Sequence, residues 1–157
     1  MGFYSPATLI KDAQRRGVSV QAIDVTKSDY ACTLPDARTV RMGLRYVSGL
    51  REQSAASIVQ ARQRAPFESL SDLRQRVSMS QEEWMRLAEL GAFQKLGPTR
   101  RQAIWQLSRH PTPALFASLP SKHHTSPLQE MSFEQRIASD YKNSSFSVGP
   151  HPIHLIR

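Results

Sequence analysis

The sequence predicts a mainly α-helical fold with a small β-hairpin, built around two helical hairpins in tandem, the second degenerate. Three observations carry that expectation. Leu44 to Val59 holds a short apolar-spaced segment, a Gly49-Leu50-Arg51 turn and a longer segment whose Ala55, Ile58 and Val59 fall on one helical face. Ser or Thr followed three residues later by Glu, Asp or Gln recurs along the chain, the pattern of a helix start. Extended runs rich in Val, Ile and Thr occur between Val18 and Met42.

In chain order, Ser5-Pro6 opens a first helix, because Ser5 can cap and Pro6 at the first helical position loses no needed hydrogen bond. Leu9, Ile10 and Ala13 give its apolar stripe, and Gly17 stops it after Arg15-Arg16. Val18, Val20, Ile23 and Val25 follow with extended character. Tyr30 to Leu34, a turn at Pro35-Asp36 and Thr39 to Met42 then form the β-hairpin. A two-stranded ribbon is marginal alone, so it is expected to lean on the helices. After the central hairpin, Pro66-Phe67 leads into helices started by Ser69 with Asp72, Ser80 with Glu83 and Thr99 with Gln102. Trp84, Leu87 and Ala88 line one face with Gly91 as the stop, and Ala103, Ile104 and Leu107 line another. The helix, Met79 turn and helix make the second hairpin. Its turn lacks glycine, so packing is expected there, not phosphate contact. Prolines 111, 113, 120 and 127 mark a linker, Ser132 with Gln135 starts a last helix carrying Phe133, Ile137 and Tyr141, and Ser144 to Pro152 is loop-like.

The central hairpin carries the chemistry. Gly49 can take a positive φ, Leu50 plugs the space between the helices, and the amides of Arg51 to Gln53 open the second helix, where free N–H groups attract anions. The spacing Gly-apolar-x-x-x-x-Ala-x-x-Ile-Val resembles the helix-hairpin-helix motif, which grips a nucleic-acid phosphate through hairpin amides. Arg51 stands where that motif usually has a second glycine; it either adds its charge to the contact or marks a hairpin that has lost it. The candidate phosphate-binding set is Gly49, Leu50 and Arg51, supported by Arg45, Gln53, Ser54, Arg62 and Arg64. The bland alternative is an αα-hairpin packed for stability.

Charge coincides with this hairpin. Thirteen Arg or Lys and six Asp or Glu lie between Arg38 and Arg109, so +7 of the chain's net +8 sits there, and twelve of those cations are arginine. Arginine pairs planar-to-planar with phosphate, so a polyanion is the expected partner. Cys32 is the only cysteine, which rules out an internal disulfide and fits a reducing cytoplasm. No apolar run reaches the roughly 18 residues of a membrane span. No Asp-x-Asp pair or Gly-rich phosphate loop is present, and Glu82-Glu83 sit where capping explains them, so no catalytic residue, metal site or cofactor is expected. His110, His123, His124, His151 and His154 lack a Cys or carboxylate at ligand spacing and read as surface residues. Trp84 and Trp105 offer rings for base stacking, but helical spacing favours the core.

Taken together, Gly2-Phe3-Tyr4-Ser5-Pro6-Ala7-Thr8-Leu9, Gly43 to Leu50, Pro66-Phe67, Leu90-Gly91-Ala92-Phe93, Arg100 to Trp105 and Gly149-Pro150-His151-Pro152 resemble, in this order, the C-family bacterial DNA polymerases. The match is closest to their error-prone branch, akin to the replicative polymerase III α subunit. The resemblance implies that residues 1–43 are the end of the fingers with a small β-hairpin and 44–110 a tandem helix-hairpin-helix region that contacts duplex DNA. By the same resemblance, 111–127 is a Pro/Ser linker and 128–157 a helix leading towards a missing OB-fold. It also implies a fragment whose catalytic domains lie elsewhere, with the rest of the polymerase as a partner. The leading expectation is therefore sequence-independent binding of the duplex backbone within an error-prone, DNA-directed DNA polymerase of replication and repair. The alternative is a structural or protein-interaction domain docking an acidic replication or repair partner.

Overall fold

The computed structural model describes residues 3–109, 127–150 and 153. All of the linker expected at 111–127 except Pro127, and all five histidines, lie outside the described residues, as do Met1-Gly2 and His151-Pro152. Among the described residues, six α-helices and three strands follow one another as α1 (Pro6–Arg15), β1 (Ser19–Gln21), β2 (Thr33–Asp36), β3 (Thr39–Arg41), α2 (Glu52–Arg64), α3 (Leu70–Arg76), α4 (Gln81–Leu90), α5 (Arg100–Ser108) and α6 (Phe133–Ser144). The mainly helical class with a small β-hairpin holds, and the helix pairs repeat as expected.

The caps explain the helix starts. Ser5, Ser69, Ser80, Thr99 and Ser132 each accept a backbone N–H from the third residue on, and Ser80/Glu83, Thr99/Gln102 and Ser132/Gln135 form reciprocal capping boxes. Gly91, in the left-handed region, closes α4. On α1 the inward face differs from the expected stripe: Ile10 is buried with Ala7 packed beside it, while Leu9 is 56% exposed. Adjacent helical positions diverge by about 100°, so Leu9 and Ile10 cannot both face inward.

The hairpin gains a third strand. β1 pairs in parallel with β3, Val20 opposite Val40, giving the order β1-β3-β2. The turn also falls later than expected, at residues 37–38 and not at Pro35-Asp36. Asp36 accepts the Arg38 amide at 2.9 Å and so marks the turn that follows it, and Pro35 sits in β2, an edge strand, where its missing N–H leaves no ladder bond open.

One continuous core joins these layers. Val25, Leu44, Ile58, Leu73, Leu87 and Phe93 are all fully buried in it. Trp84 lies there too, its ring 5.9 Å from Phe93, whereas Trp105 is half-buried under the Arg109 guanidinium. Helix α6 packs on α4, with the Arg100–Asp140 ion pair at 2.6 Å and Ser139 donating to the Glu89 carbonyl at 3.0 Å.

Candidate nucleic-acid interface

The first arm of the central hairpin is a single 3-10 turn, Leu44–Tyr46, and not an α-helix. Leu44 and Val47 are both buried, and in a 3-10 turn residues three apart eclipse, so one short turn points both inward. The chain then turns through Gly49 at φ +75° into α2.

Helix α2 begins without a side-chain cap, since Arg51 at the N-cap has no oxygen to offer. The hairpin amides divide into two groups. Ser48 N–H donates to the Asn143 carbonyl at 2.7 Å, Leu50 N–H to Val47 at 3.2 Å and Arg51 N–H to a Glu83 carboxylate oxygen at 2.9 Å. The amides of Gly49, Glu52, Gln53 and Ser54 donate to no acceptor among the described residues. Three of these, from Glu52, Gln53 and Ser54, lie in the first turn of a 13-residue helix, whose positive end attracts anions.

Helix α4 supplies the other wall. Glu83, 2% exposed, receives the Arg51 amide, Arg51 Nε at 3.1 Å, Arg51 Nη2 at 2.9 Å and the Ser80 amide at 2.9 Å. The Arg51 guanidinium holds the Glu83 carboxyl well below the usual carboxylate range against burial, which alone would raise it; the Arg51 and Ser80 amides and the Ser54 hydroxyl act in the same direction. A depressed folded value means that the folded state binds fewer protons than the unfolded one. The stabilisation is complete above the ordinary carboxylate value of 4.5 and is lost as pH falls through the folded value. Melting temperature is therefore expected to fall more steeply with acid below about pH 4.5 for the parent than for Glu83→Gln, measured in parallel thermal melts. Equal slopes would show that Glu83 does not stay ionised in the fold.

Arg86, three residues on, lies on the same face. A β-carbon built on Gly49 would stand 3.2 Å from Arg86 Nε and 3.3 Å from its Cζ, so the guanidinium covers the hairpin turn.

The other expected cations separate. Arg45 is exposed, 5.7 Å from the Tyr46 ring centroid. Arg62 is drawn inward, donating to the Val25 carbonyl at 3.2 Å and the Ser28 carbonyl at 2.9 Å and pairing with Asp29. Arg64 is exposed at the far end of α2, about 18 Å along the helix from its start at 1.5 Å per residue. Gln53 is exposed and Ser54 buried, with Leu50 packed against the core. The structure thus gathers Gly49, Leu50, Arg51, Gln53 and Ser54 at one end of α2, keeps Arg45 on the 3-10 turn before them, and leaves Arg62 and Arg64 at the other end of α2.

Sequence reasoning missed Glu83 as a hairpin partner, having assigned it only to the Ser80 cap, and missed Arg86 and Asn143. The i, i+3 spacing of Glu83 and Arg86 was a usable signal, since it places both on one face of α4. Nothing local marks Asn143.

Among the described residues no group of three or more His, Cys, Asp or Glu is placed to hold a metal ion, and no helix is long and apolar enough to cross a membrane. Error-prone DNA polymerases match this chain along its whole length. That of Azoarcus sp. (strain BH72) is 39% identical over 167 residues, that of Aromatoleum aromaticum 38% over 166 and that of Pseudomonas fluorescens (strain Pf0-1) 35% over 163. All of this chain is covered in each, but it spans only 16% of each relative's length. A family model described as a helix-hairpin-helix motif matches residues 17–103, taking in the sheet, both hairpins and the start of α5. With a glycine turn, an uncapped helix start and a second helix pair docked against them, the chain belongs to the helix-hairpin-helix motif family.

Proposed function

We propose that this chain binds duplex DNA through its phosphate backbone, without reading sequence, as part of an error-prone DNA-directed DNA polymerase acting in replication and damage-tolerant repair synthesis. The observation that carries this reading is the set of four amides at Gly49, Glu52, Gln53 and Ser54 that meet no acceptor among the described residues, in a hairpin whose glycine lies against the Arg86 guanidinium. Such amides suit a phosphate oxygen at any base sequence, because every nucleotide presents the same backbone. Arg64 serves a separate phosphate in this reading, being a helix length away. In this reading residues 1–43 are the end of the fingers, and the nucleotidyl-transfer site belongs to the remainder of such an enzyme, in a cytoplasmic setting.

Fluorescence anisotropy with a labelled duplex tests this. The 157-residue chain is expected to bind with a Kd of roughly 10⁻⁴ to 10⁻⁶ M at physiological salt, equally for unrelated sequences. Gly49→Val should weaken all of them alike, because a β-branched residue resists the φ of +75° and meets the Arg86 guanidinium. Binding unaffected by that change, in a variant with parental circular dichroism, would count against the hairpin. A second reading, docking of an acidic protein partner, draws on the exposed Phe3, Tyr4 and Leu9 near Arg15 and Arg16 on α1. Partner capture that survives Gly49→Val but not a change on α1 would favour it.

A further inference from the structure

Two arginines stand at the hairpin, and their surroundings differ. Arg51 donates from Nε, Nη2 and its own amide to Glu83, a carboxylate that is itself 2% exposed. Removing Arg51 from Glu83 would leave a buried carboxylate without its main partner, which is strongly unfavourable. Arg86 instead pairs at 2.7 Å with Glu82, whose side chain is 75% exposed and sits one helical turn back. An exposed i, i+4 pair is worth little, so a phosphate can replace Glu82 with small loss. The Arg86 Nε, moreover, is buried without an acceptor among the described residues, and the guanidinium lies over Gly49, whose own amide meets no acceptor there either.

We infer that Arg86 is the cation of the hairpin's phosphate site, and that Arg51 serves as an anchor fixing the hairpin to α4. This rests on the reading of the hairpin as a phosphate-binding element. On DNA binding, Arg86 exchanges Glu82 for a backbone phosphate already held by the amides of Gly49 and the first turn of α2. Glycine at position 49 then has two tasks: it permits the turn, and it leaves the space in which the guanidinium lies. The second hairpin contributes to the site through α4, although its own turn, residues 77–80, contains no glycine.

The test is duplex affinity over a salt series for the full chain and for Arg86→Gln, Arg86→Lys, Arg51→Gln and Gly49→Val, each checked by circular dichroism and thermal melting. Arg86→Gln is expected to raise the Kd about tenfold at low salt and to lower the slope of log affinity against log salt by roughly one. Arg86→Lys is expected to keep the slope while losing part of the affinity, because the charge remains but the planar fork does not. A parental slope in Arg86→Gln together with weakened binding in Gly49→Val overturns the role of Arg86 alone and leaves the hairpin reading standing. A slope lowered in Arg51→Gln and parental in Arg86→Gln also overturns it, moving the cation to Arg51. If neither Gly49→Val nor Arg86→Gln changes binding, or the parent does not bind DNA, both readings fall.

Discussion

Replacing Glu83 with alanine is expected to destabilise the fold by about 3 kcal/mol, read as a melting temperature roughly 10 °C lower. The carboxylate accepts four hydrogen bonds, from the Arg51 amide and guanidinium and from the Ser80 amide, and it does so while buried. Breaking a buried ion pair costs about 3 to 5 kcal/mol, most of it from the charge left behind. Here the group left behind is the Arg51 side chain, 65% exposed and reachable by water, so the lower end of that range applies. Glu83→Gln keeps the shape and one acceptor oxygen, and about half the loss is expected. Because the same carboxylate holds α2 to α4, the alanine variant should also bind DNA less tightly by anisotropy. An alanine variant that melts with the parent would show that the hairpin is held by apolar packing alone.

Gly43→Ala is expected to destabilise by at least about 3 kcal/mol, the upper end of what overpacking usually costs. The backbone at Gly43 is ordinary, with φ −85° and ψ 156°, so conformational freedom is not the reason. Space is the reason. A β-carbon there would stand 2.4 Å from the Ala31 carbonyl carbon and 2.5 Å from the Tyr30 oxygen, and these are backbone atoms that cannot rotate away. Separating the two segments would strain the bonds from Leu44 N–H to the Asp29 carbonyl at 2.8 Å and from Arg45 N–H to Tyr30 at 3.0 Å. It would also lift Leu44, fully buried, out of the core. Chemical denaturation of the purified variant measures this directly; a midpoint within error of the parent would mean that the Tyr30-Ala31 strap gives way without loss.

The helices were legible because their starts are encoded in neighbouring residues. Ser80 and Glu83 satisfy each other's amides within one turn, so four letters suffice to place α4. The parallel partner of β3 was not legible, because Val20 meets Val40 only after the chain has crossed over, and no local period records that choice. The same division holds at the interface. Gly49 and the helix start behind it were readable from spacing. Whether an arginine nearby is free to meet a phosphate was not, since Arg51 and Arg62 find Glu83 and Asp29 only through the tertiary fold. Counting cations along the sequence treats all of them as available, whereas the carboxylates that claim them lie on other elements.

The packing of α6 has a consequence for how the chain can be divided. Its Asn143 carbonyl holds the Ser48 amide, Asp140 pairs with Arg100, and Asn143 Nδ2 donates to Glu89 at 2.6 Å, so the helix after residue 127 is built into the first hairpin and α4. Residues 3–109 expressed alone would leave Ser48 N–H without that acceptor and uncover the α4 surface on which α6 rests. A peptide carrying residues 127–150, supplied separately, would bring the α6 side of every one of those contacts. The two pieces are thus suited to complement one another as a split protein, with reassembly of the hairpin as the signal that they have met.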